Sequence, residues 1–267
     1  SYGDLRRYNT IIIPSGRSLN EYTLKILKDW VSQGGTLIAH NSSTRSFASD
    51  KGIGSVKQLQ NTFENSKEYN FDLMREIYAL DNDINKDMTN ENNVNFELSY
   101  PWEEIEEFLS ENELKDRDKW QSIFMPSGSF VAGRIDNEHW LTFGTTETIP
   151  VLYSNYPILM TRSNSDAPVR IGNMIPNNEI DVPRVVNWSS IPAGFDLNVR
   201  MSGLVWPEAS QRIANSAYLT RERVGNGQVI LFSGEPNFRG ATLGTNRLWL
   251  NAIVYGPGLG TRSKIDL

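Results

Sequence analysis

Three short apolar runs, two near the start of the chain and one near its end, dominate the hydrophobic pattern. Residues 10–13, 36–39 and 228–232 lack the alternation of apolar and polar positions that marks a half-exposed strand. Such runs are typical of strands that helices cover on both faces, as in a parallel sheet. They predict three buried strands, with residues 10–13 as a central parallel strand.

A helix is predicted between the first two runs. Its apolar positions recur every three to four residues and form one face: Leu19, Tyr22, Ile26, Leu27 and Trp30. Ser18 and Glu21 fit a capping box that would start the helix near Leu19, and Gly34 and Gly35 would end it. Strand, helix and strand together predict a βαβ unit.

The loops that follow the predicted strands are residues 14–16, 40–43 and 233–240. Parallel pairing would bring these loops to one edge of the sheet, where ligands of open α/β sheets bind. The loops carry the candidate ligand-binding residues Ser15, His40, Ser42, Glu235, Asn237 and Arg239. Arg239 could clamp a carboxylate or phosphate; alternatively, it pairs with Glu235 or caps the helix that follows.

The middle of the chain is less regular. A polar helix is predicted within residues 55–80 and another from Pro101. Residues 81–95 are rich in Asn and Asp. Within them, residues 81–87 place oxygen ligands at alternate positions as a calcium loop does, but Lys86 stands where glycine is needed and Asn92 where a bidentate glutamate belongs, which favours a polar surface loop. Short apolar runs predict strands or extended segments at residues 123–125, 129–132, 140–143, 151–153, 158–160 and 216–224, and helices are predicted at 208–217 and, largely buried, at 245–255.

This order of elements predicts one α/β domain interrupted by an insertion. The domain would have a mostly parallel sheet with helices on both faces, built from residues 1–54 and 216–267. Residues 55–118 would form a polar helical insertion, and residues 119–215 a mainly β elaboration. We expect the chain to be a fragment of a longer precursor, because it opens almost directly on a central strand.

Composition and charge exclude several classes of protein. The 267 residues are 39% hydrophobic and 22% charged, as in a globular chain with a sizeable core. No apolar run approaches the roughly 18 residues of a membrane span, and a net charge of −6 without a basic stripe argues against a nucleic-acid partner. The absence of cysteine excludes disulfides, thiolate nucleophiles and zinc–thiolate sites.

Two parts of the sequence resemble known proteins. Residues 12–16 and 27–39 are similar to the middle of the flavodoxin-like, class I glutamine amidotransferase-like fold. Residues 224–240 and 244–256 resemble, more specifically, the C-terminal amidotransferase-like region of bacterial proteins in the zinc carboxypeptidase (carboxypeptidase A-like) family. Residues 135–144, 199–208 and 217–219 support this resemblance, because they fall in the order of that region.

The chain departs from both families at the residues that carry their chemistry. An active amidotransferase has a cysteine directly after the second strand, where this chain has His40, Asn41, Ser42 and Ser43. The peptidases bind zinc through a His-x-x-Glu pair and a distant histidine, but His40 is followed three residues later by Ser43, and His139 by Thr142. We therefore expect no catalytic residue, metal or cofactor in this chain, with zinc confined to an upstream catalytic domain.

Three functions remain open on these grounds. The first is a non-catalytic accessory domain of a periplasmic or extracellular zinc metallocarboxypeptidase-like protein, which assists substrate positioning or stability and has the upstream catalytic domain as its partner. The second is a module that binds a carbohydrate, a peptide or a small anion. The third is a degenerate serine hydrolase that uses Ser42 or Ser43 with His40 and Glu235.

Overall fold

The structure, a computed structural model, describes residues 4–80 and 108–261. Within these ranges the fold is α/β, with ten strands in one mixed sheet and two further sheets of two strands each. The predicted calcium-like loop within residues 81–95 and the predicted helix from Pro101 lie outside the described residues.

The helices and strands follow in chain order. The helices are α1 (Glu21–Ser32), α2 (Thr44–Phe47), α3 (Ser66–Leu80), α4 (Glu111–Gln121), α5 (Pro207–Ile213) and α6 (Leu243–Tyr255). The strands are β1 (Thr10–Ile13), β2 (Thr36–His40), β3 (Lys57–Gln58), β4 (Ser129–Ile135), β5 (Thr148–Tyr153), β6 (Leu159–Met160), β7 (Asp166–Ile171), β8 (Asn173–Pro176), β9 (Arg184–Val186), β10 (Ser189–Ile191), β11 (Phe195–Asn198), β12 (Arg200–Ser202), β13 (Ala217–Val224) and β14 (Gly227–Phe232).

The large sheet has the order β1-β2-β14-β13-β7-β4-β12. The pairs β1–β2 and β2–β14 are parallel, whereas the other pairings of this sheet among the described residues are antiparallel. The sheet is therefore mixed, not mostly parallel as the sequence pattern predicts. The reason lies in the turn between β13 and β14: its two residues begin with Gly225 at φ 61°, and so short a connection joins antiparallel neighbours.

The predicted βαβ unit is present as β1, α1 and β2. The helix starts two residues later than predicted, because Asn20 and not Ser18 is the N-cap, with its side chain accepting a hydrogen bond of 2.9 Å from the Thr23 amide. Tyr22, which the pattern places on the apolar face, is 67% exposed. The buried face instead consists of Leu24, Leu27, Trp30 and Val31.

β1 is an edge strand, contrary to the prediction that it is central. It pairs with β2 on one side, and no strand of the described ranges pairs with its other side. Its Ile12 is 38% exposed. The apolar run is uninformative here, because hydrophobic residues report whether the faces of a strand are covered, not how many neighbours it has.

Helices cover both faces of the parallel part of the sheet, as predicted. On one face Leu37 and Leu231 share a buried cluster with Leu24 and Leu27 of α1. On the other face a second cluster contains Ile38 and Ile230 together with Leu248 and Ala252 of α6. Alternate residues of β2 and β14 thus supply the two halves of the core.

Several local predictions are wrong. The runs at 123–125 and 140–143 predict strands, but the chain forms short 3-10 helices at Ser122–Phe124 and Trp140–Thr142. The predicted helix within 55–80 begins only at Ser66. α6 is less buried than predicted, since Leu250 and Val254 face solvent.

Strands from the middle of the chain extend the same large sheet. β7 pairs with β13, and β4 pairs with β7, so the antiparallel part continues directly from the parallel part. This continuity places the two sets of strands side by side in one sheet, with the parallel strands at one end.

Candidate functional site

The carboxyl ends of β1, β2 and β14 meet at one edge of the sheet. Their parallel register pairs Ile13 with Ala39, and Phe232 with His40. The loops that follow the three strands therefore lie next to each other. Of the six predicted site residues, the structure brings four together at this edge: Ser15, His40, Ser42 and Glu235.

Glu235 is held by two side chains from the end of β2. Its Oε1 accepts a hydrogen bond of 2.8 Å from Asn41 Nδ2, and its Oε2 lies 3.1 Å from His40 Nδ1. The second contact is within ion-pair distance but lacks the alignment of a hydrogen bond. The side chain of Glu235 keeps 22% of its surface exposed, whereas His40 is buried.

Burial determines the protonation of His40. The loss of hydration lowers the pKa of His40 below its ordinary value, and the attraction of Glu235 only partly opposes that shift. The imidazole is therefore neutral at pH 7. Its ring also packs edge-on against Trp249 of α6, with the ring centroids 5.4 Å apart.

Asn41 lies on a sharp turn directly after β2. Its φ of 52° is in the left-handed region, which few residues other than glycine adopt and which asparagine tolerates better than most. The turn is held by Thr44, whose hydroxyl donates a hydrogen bond of 2.6 Å to the Asn41 carbonyl. The turn aims a carboxamide, not a nucleophile, at Glu235.

The serines of this edge connect the loops after β1 and β2. Ser42 Oγ accepts a hydrogen bond of 2.8 Å from the Gly16 amide and lies 3.2 Å from Ser15 Oγ. Ser43 Oγ donates to the Pro14 carbonyl. In the described part of the chain, no hydrogen bond joins His40 to either Ser42 or Ser43.

Asn237 and Arg239 are exposed farther along the loop after β14. Arg239 has a φ of 50° and its guanidinium lies 5.2 Å from the centre of the Phe238 ring. Neither an ion pair between Arg239 and Glu235 nor a cap by Arg239 on α6 occurs among the described contacts. The structure thus leaves these two residues apart from the four that meet at the sheet edge.

Sequence patterns miss Tyr156 at this edge, and they place Asn41 after the second strand without indicating its contact with Glu235. A Cβ on Gly234 would lie 2.7 Å from the Tyr156 ring, so glycine is needed for this close approach. Burial raises the pKa of the Tyr156 hydroxyl, and the nearby charge of Glu235 adds to that shift. Tyr156 comes from a different part of the chain, and neither its spacing nor its neighbours in the sequence indicate this contact.

Metal-ligating clusters and membrane-spanning helices are both absent from the described residues. No group of three or more histidine, aspartate or glutamate side chains is placed to hold a metal ion within residues 4–80 and 108–261. No helix of these ranges combines the length and the apolar character needed to cross a bilayer.

Comparison with known proteins gives no matching family model and no matching curated protein. Among solved structures, the chain is similar to the cytoplasmic protein STM3548 from Salmonella typhimurium, with 10% sequence identity and a TM-score of 0.38. The match covers 93% of this chain and 72% of that one.

Proposed function

We propose that this chain is a non-catalytic domain of the flavodoxin-like, class I glutamine amidotransferase-like fold. In this proposal it belongs to a periplasmic or secreted zinc carboxypeptidase-like protein and assists its upstream catalytic domain, by positioning substrate or by adding stability. The parallel β1-β2-β14 unit, with α1 and α6 on opposite faces, supports the assignment of the fold.

The observation that carries the proposal is the identity and geometry of Asn41. The resemblance described above places the nucleophile of an active amidotransferase directly after the second strand. At this position Asn41 adopts a φ of 52° and donates its amide to Glu235. A carboxamide in this hydrogen bond keeps the sharp turn but supplies no nucleophile.

The serine-hydrolase alternative lacks support from the contacts of its residues. A triad requires the histidine to accept the serine proton. His40 has its Nδ1 beside Glu235, but the Ser42 hydroxyl is used in binding the Gly16 amide, and the Ser43 hydroxyl donates to the Pro14 carbonyl. Both serines therefore act as connections between loops.

A ligand-binding role for the loop after β14 is supported by a second observation. Arg239 is exposed and, in the described part of the chain, its guanidinium has no carboxylate partner. Glu235, in the same loop as Arg239, keeps part of its carboxylate accessible. A carbohydrate, a peptide or a small anion could use these groups, in keeping with a domain that positions substrate.

Hydrolysis assays test the absence of catalysis. The purified chain and its Glu235→Ala variant are incubated with peptide, ester and L-glutamine substrates. The proposal expects the rate of both proteins to equal that of the protein-free blank. Sustained turnover by the wild type that Glu235→Ala abolishes would contradict it.

Thermal shift separates the binding role from a purely stabilising one. Carbohydrates, short peptides and small anions are titrated against the wild type, Arg239→Ala and the control variant Arg223→Ala, whose arginine is also exposed. A binding role predicts a saturable rise in melting temperature that Arg239→Ala removes and Arg223→Ala retains. A stabilising role alone predicts no such rise.

A further inference from the structure

A second site lies away from the loops after the parallel strands. A cavity of about 480 Å³ opens between the C-terminal part of α3, the end of β4, and β7 and β8. Its volume is in the range of small-molecule sites. None of its lining residues belongs to the His40 and Glu235 edge.

Two arginines from neighbouring strands line this cavity. Arg134 of β4 and Arg170 of β7 are directly opposite each other in the antiparallel register. Like charges in this arrangement repel. Glu76 of α3 compensates one of them, since its carboxylate accepts two hydrogen bonds of 2.5 Å from Arg170 Nε and Nη2.

Arg134 has no such partner. Its Nη1 donates a hydrogen bond of 2.9 Å to the Gly172 carbonyl, and its Nη2 donates one of 3.2 Å to Asn215 Oδ1. Both acceptors are neutral. No carboxylate of the described ranges forms an ion pair with it. Burial and the charge of Arg170 lower the pKa of Arg134 to about 10, with the attraction of Glu76 opposing that shift in part, so the guanidinium remains charged at pH 7.

Arg134 is only partly buried, but a guanidinium without an ion-pair partner in the wall of a cavity still favours an anion beside it. The planar guanidinium is suited to a carboxylate, which can accept two parallel hydrogen bonds. Arg134 lines the cavity, and beyond its bonds to Gly172 and Asn215 its remaining N–H groups form no hydrogen bond with another described residue.

The rest of the lining selects the kind of anion. Ile77, Met174 and Phe195 add apolar surface that fits the body of an organic molecule. Asp136 and Glu147 also line the cavity, so its carboxylates outnumber its arginines by one when Glu76 is included. This excess of carboxylates opposes a doubly charged anion such as hydrogen phosphate more strongly than a singly charged one.

We propose that this cavity binds a small organic monocarboxylate, with its carboxylate on Arg134 and its apolar body against Ile77, Met174 and Phe195. The site is independent of the function proposed for the edge formed by His40 and Glu235. Each proposal can fail without the other.

The probe is benzoate, with benzamide as its neutral isostere and inorganic phosphate, at pH 8, as the dianion. Melting temperature and ligand-observed NMR are measured on the full chain as each compound is titrated. The expected result is saturable binding of benzoate and no comparable response to benzamide or phosphate. No saturable benzoate binding, or an equal response to benzamide or phosphate, would overturn the proposal.

Variants of Arg134 and of Glu76 should change the affinity for benzoate in opposite directions. Arg134→Met should weaken benzoate binding at least about tenfold, since the charged hydrogen bonds are lost, whereas the exposed control Arg223→Met should leave it unchanged. Glu76→Gln should tighten binding at least about threefold, because it leaves the charge of Arg170 uncompensated.

Opposite changes in benzoate affinity would exclude damage to the fold as their common cause. A destabilised protein would lose binding in both variants, but only an anion site gains affinity when Glu76 is neutralised. If Arg134→Met does not fold, Arg134→Lys replaces it and should also weaken benzoate binding, because lysine lacks the planar fork. Unchanged binding in the Arg134 variant, or weaker binding in Glu76→Gln, contradicts the proposal.

Discussion

The contact between His40 and Glu235 joins two strands whose residues are far apart in the sequence. His40 is the last residue of β2, and Glu235 lies in the loop after β14. The carboxylate raises the pKa of the imidazole, while burial, the larger effect, lowers it. The protonation of His40 is therefore a direct measure of this contact.

Neutralising Glu235 should lower the pKa of His40 further. In Glu235→Gln the attraction for the imidazolium is lost, while the burial that disfavours the charged ring remains. The pKa is measured by NMR titration of the ring protons, and His139→Gln assigns the resonances because the chain has two histidines. The exposed Glu179→Gln makes the same change in net charge and should leave the His40 pKa in place. A rise in the His40 pKa in Glu235→Gln contradicts the observed contact.

The residues of the candidate site could be predicted only in part. Ser15, His40, Ser42 and Glu235 follow predicted buried strands, and the carboxyl-edge rule for parallel strands brings them together. Tyr156 and the cavity arginines could not be predicted, because long-range pairing of β4 with β7 and of β13 with its neighbours determines their positions.

At the scale of elements, α4 and α5 are joined by a buried ion pair. Asp118 Oδ1 accepts a hydrogen bond of 2.7 Å from Arg212 Nε, and both side chains are at most 10% exposed. Gln60 Nε2 contacts the other carboxylate oxygen at 3.5 Å. The loss of one partner would leave the other charge buried without compensation.

Asp118→Ala should therefore lower the free energy of unfolding by about 3–5 kcal/mol, as expected when one partner of a buried pair is removed. Denaturant unfolding measures the change, and the double variant Asp118→Leu with Arg212→Met should recover most of the loss. Asp116→Ala, on an exposed position of the same helix, is the control and should stay within about 0.5 kcal/mol of the wild type. A loss in the double variant equal to the sum of the losses in the single variants Asp118→Leu and Arg212→Met would show that the two side chains do not interact.

The regular pattern of α1 and the apolar runs of the parallel strands are predicted well, whereas two of the short runs in the middle of the chain are not. β1, β2, α1 and β14 follow from their apolar positions to within two residues. Trp140–Thr142 is a 3-10 helix although its sequence predicts a strand, because three or four apolar residues do not show a period. Tertiary packing determines the conformation of such segments.

At the scale of the whole molecule, a parallel βαβ unit is continued by antiparallel strands in one sheet. The two-residue turn at Gly225 and Asn226 reverses the chain between β14 and β13, and β7 and β4 then extend the antiparallel part. Predicting this arrangement would require the pairing of strands from residues 129–135 and 166–171 with the end of the chain. Hydrophobic periodicity carries no information on such pairings.

The architecture separates two regions with different chemistry. The parallel end carries the edge formed by Ser15, His40, Ser42 and Glu235, and the antiparallel part carries the cavity with Arg134. In our account the first region is a degenerate active-site edge without a nucleophile, and the second binds a monocarboxylate. Neither region requires the other.

The central claim is that no hydroxyl at the parallel edge acts as a nucleophile. Intact-protein mass spectrometry after incubation with a fluorophosphonate probe tests it most directly, because such probes form a covalent adduct with an activated serine. We predict that the wild-type chain keeps its unmodified mass. A single adduct that peptide mapping places on Ser42 or Ser43, and that His40→Ala prevents, would contradict the account.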